Sequence, residues 1–440
     1  MKIRFLVPCF ALVSLVFFVC CPQTPAQAPA PPAEIPEEVA VSARIAELGG
    51  SIQRNAERRI TRIIIENTAN LTAEDMQAIG KLTSLEWIRL VGPSVNDEHV
   101  EALSGLASLR IVDIENSGIT DSSLETLKTL PEIHTLGMRR NLRLSNNAIR
   151  LFAEFPNLQT LRILYNDFSP MSLYDLDRLT SVRVLDLRGL QIGDDTLMFI
   201  GDLENLEEIR IRSGSVTNTG IAELVRNPKL RVIELQDTSV SIGSAAIFER
   251  MENLRSLRIF RAAEFGARAV EELGVLTNLE TLELRGVGCD VEALLALKPL
   301  TRLRTVEFSE LPGLNAETII EVLKSYPELE SIRLFGILPA DDSVASFLAT
   351  IPALRSVGLP ATGITDAGLE ALTALTELTF LDIHANRIRI TPQGANVLNR
   401  FPNLRRLIIP ETVDTPALRS ALLESAPRLV ITVNTYAHGQ

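Results

Sequence analysis

The stretch LRSVGLPATGITDAGLEALTALTE (354–377) is nearly duplicated earlier in the same chain, as LRIVDIENSGITDSSLETLKTLPE (109–132). Both stretches are 24 residues long, open with Leu-Arg, carry Gly-Ile-Thr-Asp in the middle and end in a leucine-rich segment. Self-similarity with a period of about 20–50 residues indicates a chain built from stacked repeats. We therefore interpret the two stretches as copies of one repeating unit.

Fourteen units follow this template, and successive units start 24, 25 or 26 residues apart. Positions within a unit are called places, and place 1 is the opening residue. The opening residues are Leu85, Leu109, Ile133, Leu158, Val182, Leu206, Leu230, Leu254, Leu279, Leu303, Leu329, Leu354, Leu378 and Leu404. With residues 60–84 as an atypical first unit, the repeat array is predicted to span residues 60–428.

Each unit changes its hydrophobic period halfway. Apolar residues at places 4 and 6 alternate with polar ones at places 3, 5 and 7, which predicts a strand with one buried face. The second half, as in DAGLEALTAL (366–375), has helical spacing. Thr120, Thr365, Thr391 and Thr415 stand where a helix N-cap is expected, and the last two precede a proline. Each unit is therefore predicted to be a short strand, a turn and a short helix.

The template LxxLxLxxTxITDxGLxxLxxLxx resembles the leucine-rich repeat, in the form common in exported bacterial proteins. The resemblance implies an α/β fold, a solenoid or horseshoe with a parallel concave β-sheet and short convex helices. Place 9, often Asn in that family, is Asn at Asn166 and Asn386, whereas it is Ser117, Thr238, Thr362 or an apolar residue such as Leu190 or Val287 elsewhere. We do not expect an asparagine ladder along the whole array.

The two ends of the array depart from the template. Residues 37–59 are predicted to form an N-terminal cap that starts as a helix, breaks at Gly49 and continues as a short strand. Residues 429–440 are predicted to form a terminal strand and tail, without a dedicated C-terminal cap. One unit cannot bury enough apolar surface to offset its lost backbone entropy, so the stability must come from stacking.

The N-terminal segment predicts export. Residues 1–28 combine a basic start, an uncharged 17-residue run and an Ala-Gln-Ala motif ending at Ala28, as in a secretory signal peptide. A Pro/Ala-rich linker follows at 29–36. Cys20 and Cys21 leave lipoprotein processing open as an alternative, although the residues before them make a poor lipobox. The 17-residue apolar run is also at the short limit for an uncleaved transmembrane anchor. We expect a location in the periplasm, at the cell surface or outside the cell.

Composition narrows the range of partners. A net charge of −12 argues against nucleic-acid binding. Cleavage after Ala28 would remove Lys2, Arg4 and no acid, which changes the charge from −12 to −14. It would leave Cys289 as the single cysteine, so no internal disulfide is expected. Membrane contact is expected only through an N-terminal anchor, and we expect a monomer.

No catalytic or cofactor-binding motif was found. The histidines have no metal-ligand spacing; they are His99, His134, His384 and His438. Phosphate-binding loops and serine-hydrolase motifs are missing from the sequence. Cys289 falls at place 11, where a small buried side chain is expected, and the pairs at Asp194 and Asp341 are interpreted as helix-start acids. We predict a protein that is not an enzyme and needs no cofactor or metal.

Two rows of side chains, at places 5 and 7, should face outward from the strands. Place 5 in six consecutive units alternates in charge: Arg162, Asp186, Arg210, Glu234, Arg258, Glu283. Because parallel strands lie about 4.8 Å apart, this row is expected to neutralise itself. Place 7 contains no acid in nine consecutive units: Arg139, Leu164, Arg188, Arg212, Gln236, Phe260, Arg285, Ser309, Phe335. Place 8 adds Arg140, Tyr165 and Arg261.

Arginine and aromatic residues often dominate protein interfaces, so place 7 predicts an interaction surface. The predicted partner-binding residues are Arg139, Arg188, Arg212, Phe260, Arg285 and Phe335. They are expected to be exposed, so that charge reversal should change the stability by no more than about 0.5 kcal/mol. The alternative is that acids in the following loops pair these arginines. Trp87, the single tryptophan, is either a contact residue or packed beneath the N-terminal cap.

These observations favour a non-enzymatic exported scaffold that binds a protein or other macromolecular partner through its concave face. Two alternatives stay open. One is a secreted effector resembling the repeat half of F-box adaptors, which recruit targets for ubiquitin ligation, although only residues 37–59 are available for an F-box-like segment. The other is a structural spacer of the cell envelope.

Overall fold

The computed structural model describes residues 35–386 and 389–434. The predicted signal peptide, most of the predicted linker and residues 435–440 of the predicted tail lie outside these ranges. Every opening residue of the fourteen predicted units lies inside them.

The described strands form one seventeen-stranded sheet. They are β1 (Ser51–Arg54), β2 (Ile60–Ile65), β3 (Trp87–Val91), β4 (Ile111–Glu115), β5 (Thr135–Arg139), β6 (Thr160–Leu164), β7 (Val184–Asp186), β8 (Glu208–Arg212), β9 (Val232–Gln236), β10 (Ser256–Phe260), β11 (Thr281–Arg285), β12 (Thr305–Ser309), β13 (Ser331–Phe335), β14 (Ser356–Gly358), β15 (Phe380–Asp382), β16 (Arg406–Pro410) and β17 (Val430–Asn434). From β2 onward each strand pairs in parallel with the next along the chain. The predicted solenoid is confirmed.

Short helices alternate with the strands and form the convex layer. The α-helices are α1 (Pro36–Glu47), α2 (Ala73–Ile79), α3 (Asp97–Glu101), α4 (Asp121–Leu127), α5 (Ala148–Phe152), α6 (Asp194–Ile200), α7 (Asn218–Glu223), α8 (Ser244–Glu249), α9 (Ala267–Glu272), α10 (Val291–Ala296), α11 (Ala316–Leu323), α12 (Asp342–Leu348), α13 (Asp366–Leu372) and α14 (Pro416–Ser425). The 3-10 helices are Pro170–Arg178, Leu224–Arg226, Leu273–Val275, Gly394–Arg400 and Glu411–Val413. Among the described residues, no helix has both the length and the apolar character to cross a membrane.

The core lies between sheet and helices, and the template places fill it. The opening residue of every unit, from Leu85 to Leu404, is at most 4 % exposed. The residues at places 4 and 6, such as Leu257 and Ile259, are at most 1 % exposed in every unit. Burial of these aliphatic side chains is the main stabilising contribution, and each layer is completed by its neighbours.

The N-terminal end of the stack is closed by α1 and β1. The break expected near Gly49 is present, because this residue has a φ of +72° between the two elements, and β1 then pairs antiparallel to β2. Glu38 is 3 % exposed and joins three parts of this cap. Its carboxylate accepts hydrogen bonds from the side chains of Arg54 and Arg59 and from the buried backbone N–H of Ile60.

Threonine N-caps begin the helices, as predicted at Thr120, Thr365 and Thr415, where each hydroxyl accepts a backbone N–H of the first turn. The prediction at Thr391 was wrong in its boundary. The helical segment there is a 3-10 helix that begins at Gly394, although the Thr391 hydroxyl still accepts the Gly394 N–H at 3.0 Å.

The acids at several helix starts also link neighbouring units. Asp342 accepts the backbone N–H of Thr365 at 2.7 Å and its hydroxyl at 2.6 Å. Asp97 accepts the same two donors from Thr120 in another pair of units. The acids at the helix starts therefore hold the next unit in register, a role that the spacing alone did not reveal.

An asparagine ladder exists in part of the array. Asn141 also occupies place 9, which the sequence reading overlooked. Its side chain accepts the N–H and hydroxyl of Ser117, and its own N–H donates to the Asn166 side chain at 2.8 Å. A second pair joins Thr362 to Asn386 at 2.9 Å. The ladder is local, because most other units carry no amide at this place.

The concave face of the sheet

Place 7 forms a row on the concave face near the end of the strands, interrupted at Arg188, which lies beyond the end of β7. Gln236, Phe260, Arg285, Ser309 and Phe335 are register partners on neighbouring strands from β9 to β13. Both aromatic side chains in this run are half-buried. From β9 to β13 the place 7 residues are therefore direct neighbours on the sheet.

Place 8 adopts a left-handed backbone conformation in most units. Arg140, Tyr165, Asp237, Arg261 and Glu310 all have φ values between 50° and 55°. This conformation is unfavourable for residues other than glycine and marks a sharp turn after the strand. The place 8 side chains can then contact the place 7 row, which strand periodicity does not predict.

Tyr165 is the centre of a first cluster. Its hydroxyl accepts a hydrogen bond from Arg212 at 2.8 Å, across 47 residues of sequence. The guanidinium carbons of Arg139 and Arg140 each lie 5.5 Å from the centre of its ring. A Cβ added at Gly189 would lie 2.2 Å from the ring, so only glycine leaves room for the tyrosine in this orientation.

Phe335 is the centre of a second cluster. The guanidinium carbons of Arg285 and Arg333 lie 5.4 and 5.9 Å from its ring centre, and the His384 ring stacks at 6.2 Å. Arg285 and Phe335 are two units apart and meet over the buried Ser309 between them. Cation–π contacts of this kind are worth about 0.5–1 kcal/mol at exposed sites.

The four predicted arginines are all ion-paired. Arg139 binds Glu115 at 3.3 Å, Arg212 binds Asp237 at 2.5 Å and Arg285 binds Glu310 at 3.1 Å. These acids lie at place 7 or 8 of adjacent units. This arrangement is close to the alternative interpretation, in which acids in the following loops pair the arginines.

Arg188 departs most from the expected exposure. Its side chain is 26 % exposed, donates two hydrogen bonds to Asp186 and forms an ion pair with Glu234 at 3.1 Å. A glutamate at this position would meet two buried carboxylates. We therefore expect charge reversal here to destabilise the fold by far more than the 0.5 kcal/mol expected from the sequence.

The place 5 row neutralises itself only in part. Arg258 lies 3.0 Å from Glu283 and 4.0 Å from Glu234, as expected. Burial raises the pKa of Glu283, and the nearby Arg258 only partly offsets this effect. Asp186, by contrast, is bound by Arg188 of the place 7 row, which leaves Arg162 without an ion pair within the described residues.

Trp87 lies on the concave face and is not packed beneath the cap helix. The Arg62 guanidinium stacks 3.4 Å from its ring centre, and its indole N–H donates to Asp113 at 3.0 Å. A Cβ added at Gly137 would lie 2.0 Å from the Asp113 carboxylate. Glycine at this place therefore lets Asp113 turn toward the tryptophan.

The described residues bring no catalytic group together. No group of three or more His, Cys, Asp or Glu side chains among them could hold a metal ion. Burial raises the pKa of Cys289 to about 12, so this thiol is a poor nucleophile. His384 binds Asp382 at 2.5 Å, but Asp382 also binds Arg333 at 2.8 Å and the imidazole is 4 % exposed. This trio is a structural link within the sheet.

The comparisons agree with this architecture. A family model described as a leucine-rich repeat region matches residues 139–437, more than half of the chain. No curated protein sequence matches the chain.

Two solved structures are similar in fold. An internalin from Listeria monocytogenes is 19 % identical with a TM-score of 0.43, over 79 % of this chain and 94 % of that one. A leucine-rich repeat protein from Leptospira interrogans is 15 % identical with a TM-score of 0.35, over 86 % of this chain and 90 % of that one. At these TM-scores neither structure carries information on what this chain binds. The family match rests on the repeats themselves, and this chain belongs to the leucine-rich repeat family.

Proposed function

We propose that the protein is an exported, non-enzymatic scaffold that holds a protein partner on its concave face. The observation that carries this proposal is the place 7 row, with Tyr165 and Phe335 each flanked by two arginines. Arginine and aromatic residues are enriched where protein interfaces carry their energy. Leucine-rich repeat proteins typically bind proteins, and the family membership supports the same reading.

The size of the row suits a protein partner. From β5 to β13 the row crosses nine strands, which at about 4.8 Å per step extends for about 40 Å. An interface of standard size buries about 800 Å² on each partner. A surface of this length can accommodate such an interface, whereas a small molecule would need a deeper and more enclosed pocket.

Ion pairing of the arginines does not count against this role. Pairs such as Arg212 with Asp237 hold each guanidinium in one orientation before a partner arrives. The pairing raises the pKa of Arg212, and the hydrogen bonds from Arg261 and Arg212 outweigh burial and lower the pKa of Asp237. Both groups therefore stay charged near neutral pH, and the preorganisation reduces the entropy lost on binding.

Export is proposed from the sequence of residues 1–28 alone, through the signal-peptide pattern. The intact mass and the N-terminal sequence of the protein isolated from cells would test this part. A mature chain that begins near Pro29 supports cleavage, and a lipid adduct on Cys20 or Cys21 supports the lipoprotein alternative. A chain that keeps its first residue and stays in the cytoplasm contradicts export.

Quantitative capture from the cell envelope tests the binding proposal. The tagged protein is compared with a Phe260→Ala/Phe335→Ala variant, which removes two half-exposed concave rings. The control is Met198→Ala, because Met198 lies on α6 in the convex layer and is 47 % exposed. We expect one protein to be enriched by the wild type and by the control, and to be lost from the concave variant. Equal capture by all three forms would contradict binding through this face.

A further inference from the structure

Two adjacent units present concave residues without a single acid. At places 2, 3, 5, 7 and 8 of units 133 and 158 the chain has His134, Thr135, Gly137, Arg139, Arg140, Gln159, Thr160, Arg162, Leu164 and Tyr165. The three arginines give this region a formal charge of +3 on a protein of net charge −12. We name Arg139, Arg140, Arg162, Leu164 and Tyr165 the arginine patch.

The acids that border the patch are already engaged. Glu115 binds Arg89 at 3.0 Å as well as Arg139 at 3.3 Å. Asp186 is the register partner of Arg162, but both of its oxygens are bound by Arg188.

The patch arginines therefore keep donors to offer. Among the described residues, the side chains of Arg140 and Arg162 make no ion pair or hydrogen bond, and Arg140 contacts the Tyr165 ring. Arg139 has a buried Nε without a hydrogen-bond partner. Because an unsatisfied buried donor is unfavourable, a bound acceptor would improve the free energy of this region.

The geometry of the patch is fixed before any ligand arrives. Arg139 and Leu164 are register partners on β5 and β6, and Gly137 is the partner of Arg162. The Asp113 carboxylate occupies the space that a side chain at Gly137 would fill, and it is held there by the hydrogen bond from the Trp87 indole. Tyr165 is held in place by its hydrogen bond from Arg212. The patch thus combines three guanidinium groups with the apolar surfaces of Leu164 and Tyr165.

We propose that the arginine patch is the docking site for an acidic segment of the partner protein, one whose carboxylates bind Arg139, Arg140 and Arg162. Guanidinium groups bind carboxylates through two parallel hydrogen bonds, which suits a peptide rich in Asp and Glu. Leu164 and Tyr165 provide contact for an apolar residue of the same segment. The inference rests on the proposed function, since it names the chemistry of the partner on the same face.

A direct binding measurement on the full chain tests this assignment. The probe is a fluorescein-labelled peptide of ten glutamates with a central leucine, titrated by fluorescence anisotropy at low and at physiological salt. The test variant is Arg139→Gln/Arg140→Gln/Arg162→Gln. The control is Arg183→Gln/Arg231→Gln/Arg304→Gln, which removes the same charge from the same face at arginines that are paired with acids.

We expect the test variant to bind the peptide on the order of tenfold more weakly and the control to change affinity less than threefold, because each exposed ion pair contributes modestly. Added salt should weaken binding by the wild type. Unchanged melting temperatures would show that both variants fold. Equal loss in the two variants, or no peptide binding by the wild type, would overturn the proposal. A single-stranded oligothymidine that binds as tightly as the peptide would also overturn it, in favour of a general polyanion site.

The two proposals can fail separately. If the captured envelope protein is lost with the Phe260→Ala/Phe335→Ala variant but kept with the patch variant, the concave face binds a partner and the patch is not the docking site. If the peptide binds at the patch while no envelope protein is captured, the patch recognises acidic segments but the proposed scaffold function fails.

Discussion

At the scale of single residues, the glycine of the Thr-Asp-x-Gly signature makes room for the preceding unit. A Cβ added at Gly368 would lie 2.3 Å from the Asp342 carboxylate oxygen that accepts the Thr365 N–H. In another unit, Ser123 stands at the same place and donates its hydroxyl to Asp97 at 2.6 Å. This position therefore holds either a glycine, which leaves room for the carboxylate, or a serine, which donates a hydrogen bond to it. This requirement explains why the signature recurs.

Gly368→Ala should destabilise the protein by about 1–3 kcal/mol, because the added methyl group displaces Asp342 from its two hydrogen bonds. The free energy of unfolding from urea titration measures this effect. Gly105→Ala is the matched control, since a Cβ there would meet no atom within 4 Å and the change should be neutral or slightly stabilising. Equal destabilisation by both substitutions would show that the carboxylate is not the cause.

Asp382 makes the stability depend on pH. Burial alone would raise its pKa, but the hydrogen bond from His384 and the charge of Arg333 outweigh burial and hold the pKa below its ordinary value. A carboxylate of this kind stabilises the fold above its unfolded pKa of about 3.9, and the contribution is lost as the pH falls through the lower folded pKa.

Asp382→Asn should therefore lower the free energy of unfolding at pH 7 by about 2 kcal/mol, as expected for lost hydrogen bonds between charged groups. The difference in the free energy of unfolding between this variant and the wild type should become smaller when urea unfolding is repeated near pH 3. Asp202→Asn is the control, because Asp202 is 73 % exposed and its pair with Arg226 should matter little at either pH. A gap for Asp382→Asn that is the same at both pH values would refute the linkage.

At the scale of elements, the sequence predicted the strands and helices well because their signals are local. The period of 2 at places 4 and 6 and the threonine caps need no knowledge of neighbouring units. The ion pairs of the arginines could not be predicted from local signals. Arg212 contacts Tyr165 at a distance of 47 residues, and it does so because Tyr165 has a left-handed backbone and Gly189 leaves space. Arg162 was assigned to a self-neutralising row because its neighbour Asp186 looked available.

The N-terminal cap offers a test at this scale. Glu38→Ala leaves the Ile60 N–H buried without an acceptor and unpairs Arg54 and Arg59, so we expect a loss of about 3 kcal/mol. Hydrogen exchange of the Glu38→Ala variant should show β1 and β2 opening before the central strands. Glu37→Ala is the control, since Glu37 is exposed in the same helical turn. Protection of β1 and β2 that does not change in the Glu38 variant would mean that the cap is held by its apolar contacts alone.

At the scale of the whole molecule, stability should be distributed along the stack. Each unit packs on its neighbours, and within the described residues β17 pairs on one side only, with β16. Val430 in β17 is 60 % exposed and Leu423 in α14 is 45 % exposed. Residues from about 404 onward should therefore exchange their amide hydrogens first. Amides of β16 and β17 that are as well protected as those of β9 and β10 would contradict this expectation.

The central claim is that the concave face binds a protein partner, and hydroxyl-radical footprinting of the captured complex tests it most directly. Tyr165, Phe260 and Phe335 are reactive rings on the concave face, and Met198 is an exposed reactive side chain of the convex layer. If the account is correct, partner binding lowers oxidation of the three rings severalfold and leaves oxidation of Met198 unchanged. Protection of Met198 with unchanged oxidation of Tyr165, Phe260 and Phe335 would contradict it.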